Sequence, residues 1–177
     1  ATVLIDTGMR PEECFRLRWE SINREHGRNG SILVTHGKTA AARRMLPMTR
    51  RVREIVDAQW KRGQEPLEGW VWTAATSSGH VEPSTLKKQP ARTFKAISDA
   101  AKKTAEKAGS PFVLHTLRHT FLTRLGASGC NVWTLARIAG HSSIQMSSRY
   151  VHPSDDSVLN ALATMNPEIE GRRAKPL

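Results

Sequence analysis

The chain has 177 residues, 38% of them hydrophobic, and carries 27 Lys and Arg against 16 Asp and Glu, a formal net charge of +11. That length suits one domain of ordinary size, and the charge excess points to a polyanionic partner, because phosphate contacts by Lys and Arg release condensed counterions. No apolar run is long enough to span a bilayer. The opening "ATVLIDTGMRPEE" has neither the basic start nor the apolar core of a secretory leader. It lacks Met and begins in mid-pattern, so the chain reads as a piece of a longer cytoplasmic protein. Cys14 and Cys130 lie far apart and outside any metal-ligand spacing, which reads as a buried, reduced pair. Charge alone leaves open a basic soluble surface, a reader of DNA and an enzyme acting on DNA.

Residues 1–9 read as the end of a helix that turns at Thr7-Gly8. A helix is expected over 11–19, since Pro11 suits a first turn and Glu12 and Glu13 favour the N-terminal dipole. Cys14, Leu17 and Arg18 would form its buried stripe, with Phe15 and Trp19 paired one turn apart. "SILVT" (31–35) and "RMLPM" (44–48) read as two strands of a hairpin around the loop "HGKTAAAR". Pro47 puts the second strand at an edge. Over 50–60, Val52, Ile55, Val56 and Trp60 share one helical side, and Gly63 closes it. Residues 63–84 read as loop, with "GWVWT" suggesting a short strand.

A further helix is expected over 90–108 from the spacing of Phe94, Ile97, Ala101, Ala105 and Ala108, with Gly109 beyond its end. Its other face carries Lys95, Lys102, Lys103 and Lys107, a pattern equally suited to solvent and to phosphate. Helical stretches follow at about 116–127, 132–139 and 142–150, punctuated by Gly129 and Gly140. The last helix, 154–165, has Ser154 as N-cap and Asp155 and Asp156 in its first turn. Val158, Leu159 and Leu162 would point inward, toward the chain's own core or a neighbouring copy. The tail, 166–177, is polar and expected to be flexible. The fold class expected is α+β, mainly helical, with helices packed around a small antiparallel β-sheet.

Several polar residues stand where a plain core would not want them. "TGMRPEE" sets Arg10 just before a helix start with Glu13 one turn on. "LHTLRHTF" places His115 and Arg118 three apart, on one helical face. "AGHSS" puts His141 after a helix-ending Gly140, and Tyr150, the only tyrosine, follows nine residues later. Lys38 is the only lysine in the first 60 residues and falls at the hairpin tip. Each alone suits a structural role. Together they suit attack on a phosphodiester. Two arginines can grip the non-bridging oxygens of a pentacoordinate transition state, and a histidine can add a donor. A tyrosine phenol, which ordinarily titrates at about pH 10, becomes a nucleophile beside positive charge or a base. A lysine on a mobile hairpin can protonate the leaving 5′ oxygen.

The sequence resembles the catalytic domain of the tyrosine recombinase (phage integrase) family. The resemblance rests on "TGMRPEECFRLRWESI", "HGKTAAARRMLPM", "LHTLRHTFLTRL" and "AGHSSIQMSSRYVH", in that family's order and spacing over about residues 4–160. It implies that Arg10 and Arg118 are the phosphate clamp, with Glu13 supporting them, and that Lys38 is the general acid. His115 is then a proton acceptor or phosphate ligand, His141 stands at the position held by His or Trp, and Tyr150 forms a 3′-phosphotyrosyl link. Arg43, Arg44, His119 and Arg149 are expected DNA contacts. Thr116, where an acid is common, and the alanine run of "KTAAARR" depart from the family pattern.

The resemblance further implies strand exchange and religation on double-stranded DNA with no metal or ATP, and a homotetramer on DNA with the isolated fragment monomeric. Residues 1–165 would be the catalytic domain, without the N-terminal core-binding domain that closes around DNA. A type IB topoisomerase-like nicking and religation enzyme, or a non-catalytic DNA-binding module, are the alternative readings.

Overall fold

A computed structural model of the chain describes residues 1–37, 40–82, 114–152 and 155–165. Lys38, the helix expected over 90–108 with its lysine face, the Ser154 cap and the tail from 166 all lie outside the described residues. Helix α1 (Thr2–Thr7) ends at Gly8, whose φ of 64° is left-handed and whose N–H donates to the Leu4 carbonyl. A side chain at Gly8 would sit 2.3 Å from the Phe121 ring, so glycine there serves both the turn and the close approach of the next layer. Helix α2 (Pro11–Phe15) follows at once.

That second helix is shorter than its sequence suggests. The Leu17 carbonyl accepts from the Val71 N–H and Arg18 bridges to Trp70, so pairing with the 70s loop pulls the chain out of helix. Arg18 consequently leaves the expected buried stripe: its side chain is exposed and pairs with Glu20, while its guanidinium lies over the Trp70 ring. Cys14, Phe15, Leu17 and Trp19 are buried as the pattern implies. The expected strand in "GWVWT" is reduced to isolated bridges, Arg18 to Trp70 and Thr73 to His80.

Three antiparallel strands, β1 (Ile22–Asn23), β2 (Ser31–Val34) and β3 (Arg44–Pro47), form a sheet in the order β1-β2-β3. In the β2–β3 hairpin Ile32 faces Leu46 and Val34 faces Arg44. These four are buried, whereas Met45 between them is exposed, the two-residue alternation of a sheet with one wet face. Pro47 sits on the edge strand, where its missing N–H costs no ladder bond. The two-residue β1 is too short to leave a pattern in the sequence.

Helix α3 (Arg50–Arg62) is capped by the Thr49 hydroxyl, which accepts from the Val52 N–H. Its Val52 and Val56 are fully buried, with Ile55 and Trp60 packed alongside. Each such aliphatic side chain contributes roughly 1.5–3 kcal/mol by leaving water. They join Val3, Leu4, Met9, Ile32 and Leu46 in the main core. On the other side of α1 lies α4 (Leu114–Ala127), followed by α5 (Val132–Ala139), α6 (Ile144–Ser148) and α7 (Asp155–Met165). Leu122, Leu135 and Ala139 make a second, smaller core, against which Tyr150 and Val151 pack.

On helix α7 Val158, Leu159 and Leu162 are 51, 63 and 54% exposed, so of the two expected placements docking on the chain's own core is not the one observed. Both cysteines are free, but only Cys14 is buried, and burial pushes its thiol up to about 12. Cys130 is half-buried. Among the described residues no helix is long and apolar enough to cross a membrane.

Candidate active site

The site is assembled at the C-terminal end of α5. Gly140 takes φ of 64° there and ends the helix, leaving its last carbonyls without partners inside the helix. Three arginines from three different elements meet those carbonyls in succession. Arg44 Nε donates to Ile138 O at 2.7 Å, Arg118 Nη2 to Ala139 O at 2.7 Å, and Arg10 Nη2 to Gly140 O at 3.1 Å. Cations at this end also complement the negative pole of the helix dipole. Any side chain on Gly140 would lie 2.7 Å from Arg44 Nη1, so the glycine is required by crowding as well as by its φ.

Glu13 holds two of these arginines. Its carboxylate accepts from Arg44 Nη1 and Nη2 at 3.1 and 2.9 Å, a bidentate pair with both side chains 4% exposed. It also accepts from the Arg10 backbone N–H at 2.8 Å and from Arg10 Nη1 at 2.8 Å. Burial opposes the charge on Glu13, yet Arg44 outweighs it with help from Arg10, and the carboxyl is held below its usual value. One carboxylate therefore sits among three guanidinium groups, and the excess positive charge suits the cluster to receive an anion.

Arg118 is buried on α4 and reaches back to donate to the Gly8 carbonyl at 2.5 Å. Burial, then repulsion from Arg10, lower it to about 10, which leaves it charged near neutral pH. Its Nη2 also lies 3.1 Å from His141 Nε2. An arginine can only donate, so Nε2 is the accepting nitrogen and the ring proton is assigned to Nδ1, which faces Ser147 Oγ at 2.8 Å. Burial, followed by Arg118, Arg10 and Arg44, pulls His141 down to about 4. It is neutral near pH 7.

Tyr150 follows α6 and closes the group. Its ring stacks 6.5 Å from that of His141, and its hydroxyl lies 2.6 Å from His119 Nδ1. Its backbone lies so close to α4 that a side chain at Gly126 would come within 1.7 Å of the Tyr150 carbonyl. Beside the cluster an open cleft of about 630 Å³ is lined by Arg10, Glu12, Glu13, Arg16, His36, Gly37, Gly140 and Ser142. No group of three or more His, Cys, Asp or Glu suited to hold a metal is found among the described residues.

Of the residues expected in the site, Arg10 bonds Glu13 and Arg118 bonds His141, the two pairs meet at the successive carbonyls of Ala139 and Gly140, and Tyr150 lies against His141. His115 is exposed on the first turn of α4 and makes no hydrogen bond to the other expected residues described here. Arg43 and Arg149 are exposed. Arg44, expected as a DNA contact, lies inside the protein and donates to Glu13, Ala42 O and Ile138 O. Strand alternation carried that signal, because Leu46 faces inward and Arg44 is two residues away. Ser147, fully buried against His141, was also missed, and a serine six residues further on has no sequence signature.

The description "Phage integrase family" matches residues 1–157. The chain belongs to this family. An integrase/recombinase of Escherichia coli is 28% identical over 181 residues, covering 86% of this chain and 53% of that protein. The chain thus spans about half the length of the first curated relatives it matches. Among solved structures, the Tn1549 transposon integrase in complex with circular intermediate DNA is 25% identical, with a TM-score of 0.57 over 92% of this chain and 57% of that one. The catalytic domain of bacteriophage HP1 integrase is 19% identical, with a TM-score of 0.57 over 98% and 83% of the two chains. The fold is that of a tyrosine recombinase catalytic domain.

Proposed function

We propose that this chain is the catalytic part of a site-specific DNA recombinase that cuts and rejoins strands through Tyr150. The observation that carries the reading is the meeting of Arg10, Arg118 and neutral His141 at one helix end with the Tyr150 ring stacked on it. A phosphodiester entering the cleft would find guanidinium groups already oriented, so little reorganisation is needed as charge grows on its non-bridging oxygens. Arg10 is 35% exposed and offers the accessible half of the clamp; Arg118 supplies the buried half. Glu13 holds Arg10, Arg44 ties Glu13 to the end of α5, and both act as positioning residues.

Tyr150 attacks phosphorus, giving a 3′-phosphotyrosyl ester and a free 5′ hydroxyl. The ester conserves the bond energy, so religation needs no ATP. Lys38, which the sequence puts between the two strands of the hairpin, is the proposed donor of the proton that leaves with the 5′ oxygen. The substrate is double-stranded DNA, in keeping with the chain's net charge of +11. The Tn1549 relative was solved in complex with circular intermediate DNA. On DNA we propose a homotetramer that exchanges strands between two duplexes, with the isolated chain monomeric and a separate N-terminal domain completing the grip.

The test is covalent capture. Nicked suicide duplexes with a randomised segment are incubated with the protein, and species surviving detergent are recovered and sequenced. The wild type is expected to yield an adduct, and Tyr150→Phe none. Equal adduct from both would remove Tyr150 from the reaction.

A further inference from the structure

The phenol of Tyr150 meets His119, one helical turn beyond His115 on α4. Four residues at 1.5 Å rise set these two histidines about 6 Å apart along the helix. Of the two, His119 touches the hydroxyl: Nδ1 lies 2.6 Å from the phenol oxygen, and the two rings are 5.9 Å apart at an interplanar angle of 35°. The path that brings Tyr150 there is built into the same helix. Gly126 and His119 are seven residues apart, two turns, and therefore share a face of α4. With no side chain at Gly126, the Tyr150 backbone lies against the helix, and the ring extends to His119. Tyr150 and Val151 also pack on the small core that holds Leu122 of the same stretch of helix, which fixes the approach.

We propose that His119 is the acceptor for the Tyr150 phenol, holding the hydroxyl before cleavage and taking its proton on Nδ1 as the oxygen attacks. The assignment rests on Tyr150 being the nucleophile, and it moves the proton-acceptor role away from His115. With the ring proton on Nε2, the Nδ1 lone pair accepts the phenol O–H. In the step itself the Tyr150 oxygen forms the new bond to phosphorus and its proton passes to His119 Nδ1. The bond from phosphorus to the 5′ oxygen breaks, and that oxygen leaves with a proton from a general acid, for which Lys38 is the candidate. Religation runs the same transfers backwards: imidazolium returns the proton to the phenol as the 5′ hydroxyl attacks. Arg118 and His141 stay with the phosphate throughout, so binding the phosphate and moving the phenol proton fall to different side chains.

Two substitutions separate holding from proton transfer. His119→Asn places an amide oxygen near the Nδ1 position, which accepts a hydrogen bond but does not take the proton. His119→Phe keeps a ring and offers neither. His119 is exposed, so both variants are expected to fold, which thermal melting checks. Single-turnover adduct formation is measured on a duplex recovered by covalent capture, alongside affinity for the same duplex. Both variants are expected to slow the adduct roughly hundredfold or more, with affinity changed only a few-fold. A wild-type rate in His119→Phe overturns the proposal, and a wild-type rate in His119→Asn overturns the proton-transfer half of it.

The chain's single tyrosine gives an independent readout. One ¹³Cζ-tyrosine resonance reports the phenol directly and should shift in His119→Phe but stay near the wild-type position in His119→Asn. No shift in His119→Phe would refute the contact. If the wild type forms no adduct with any duplex, the nucleophile reading itself fails and the proton-transfer role with it.

Discussion

The arginine cluster and the tyrosine segment lie side by side and are held by different forces. Arg44, Glu13 and Arg118 are buried, and the hydrogen bonds of the cluster tie α2, the sheet, α4 and the end of α5 into one lattice. Tyr150 is half-buried on a small satellite core, and its hydroxyl meets an exposed histidine. The first arrangement suits a receptor whose donors must be fixed before the anion arrives. The second suits a group that must travel a short way during the reaction and come back. Substitutions should therefore cost folding stability on one side and reaction rate on the other.

The largest effect is expected at Glu13. Removing its carboxylate in Glu13→Ala strands the buried Arg44 charge, for which breaking a buried pair typically costs about 3–5 kcal/mol. Urea unfolding measures it. A loss below about 1 kcal/mol would mean that the lattice is not the rigid half of the site. Next is Gly126→Ala, whose new methyl meets the Tyr150 carbonyl. Overpacking of this kind costs about 1–3 kcal/mol. Adduct formation should fall further than stability does, because the displaced segment carries the phenol. Equal wild-type activity would show that Tyr150 need not lie against α4.

The smallest effect is in pH. His141 titrates at about 4 in the fold against an ordinary 6.5. Between those values the unfolded chain binds a proton that the folded chain refuses, so stability falls as pH drops from 6.5 toward 4. Glu13 works in the same direction, since its lowered carboxyl contributes above its usual range and loses that contribution as pH falls through the folded value. His141 is only partly buried, so solvent moderates its share. Urea midpoints from pH 7 to 4 should decline in the wild type and decline less steeply in His141→Gln. Parallel curves would contradict the burial of His141 among the arginines.

Much of this was legible in the sequence where local pattern and tertiary need agree. The spacing of Val52, Val56 and Trp60 gave α3, and Asn131 with Gly140 bounds α5 where periodicity placed it. Arg10, Glu13, Arg118, His141 and Tyr150 stood out as polar residues where a plain core would not want them, in motifs that resemble the family's, and the structure brings them together. What was hidden depends on partners distant in sequence. Helix α2 stops at Phe15 because the Leu17 carbonyl pairs with Val71. Arg44 reads as a surface cation from its charge, and only its place in the β3 alternation sends it inward to Glu13. The apolar face of α7 has helical spacing but is exposed, since periodicity tells which residues share a face and not what covers it.

The central claim, that Tyr150 becomes joined to DNA, is tested most directly by locating the bond. The captured adduct would be digested with nuclease and protease, and the peptides read by mass spectrometry. The account predicts a nucleotide attached through its 3′ phosphate to the peptide "SSRYVH", at Tyr150. A nucleotide on any other residue, or one attached through its 5′ end, would contradict it.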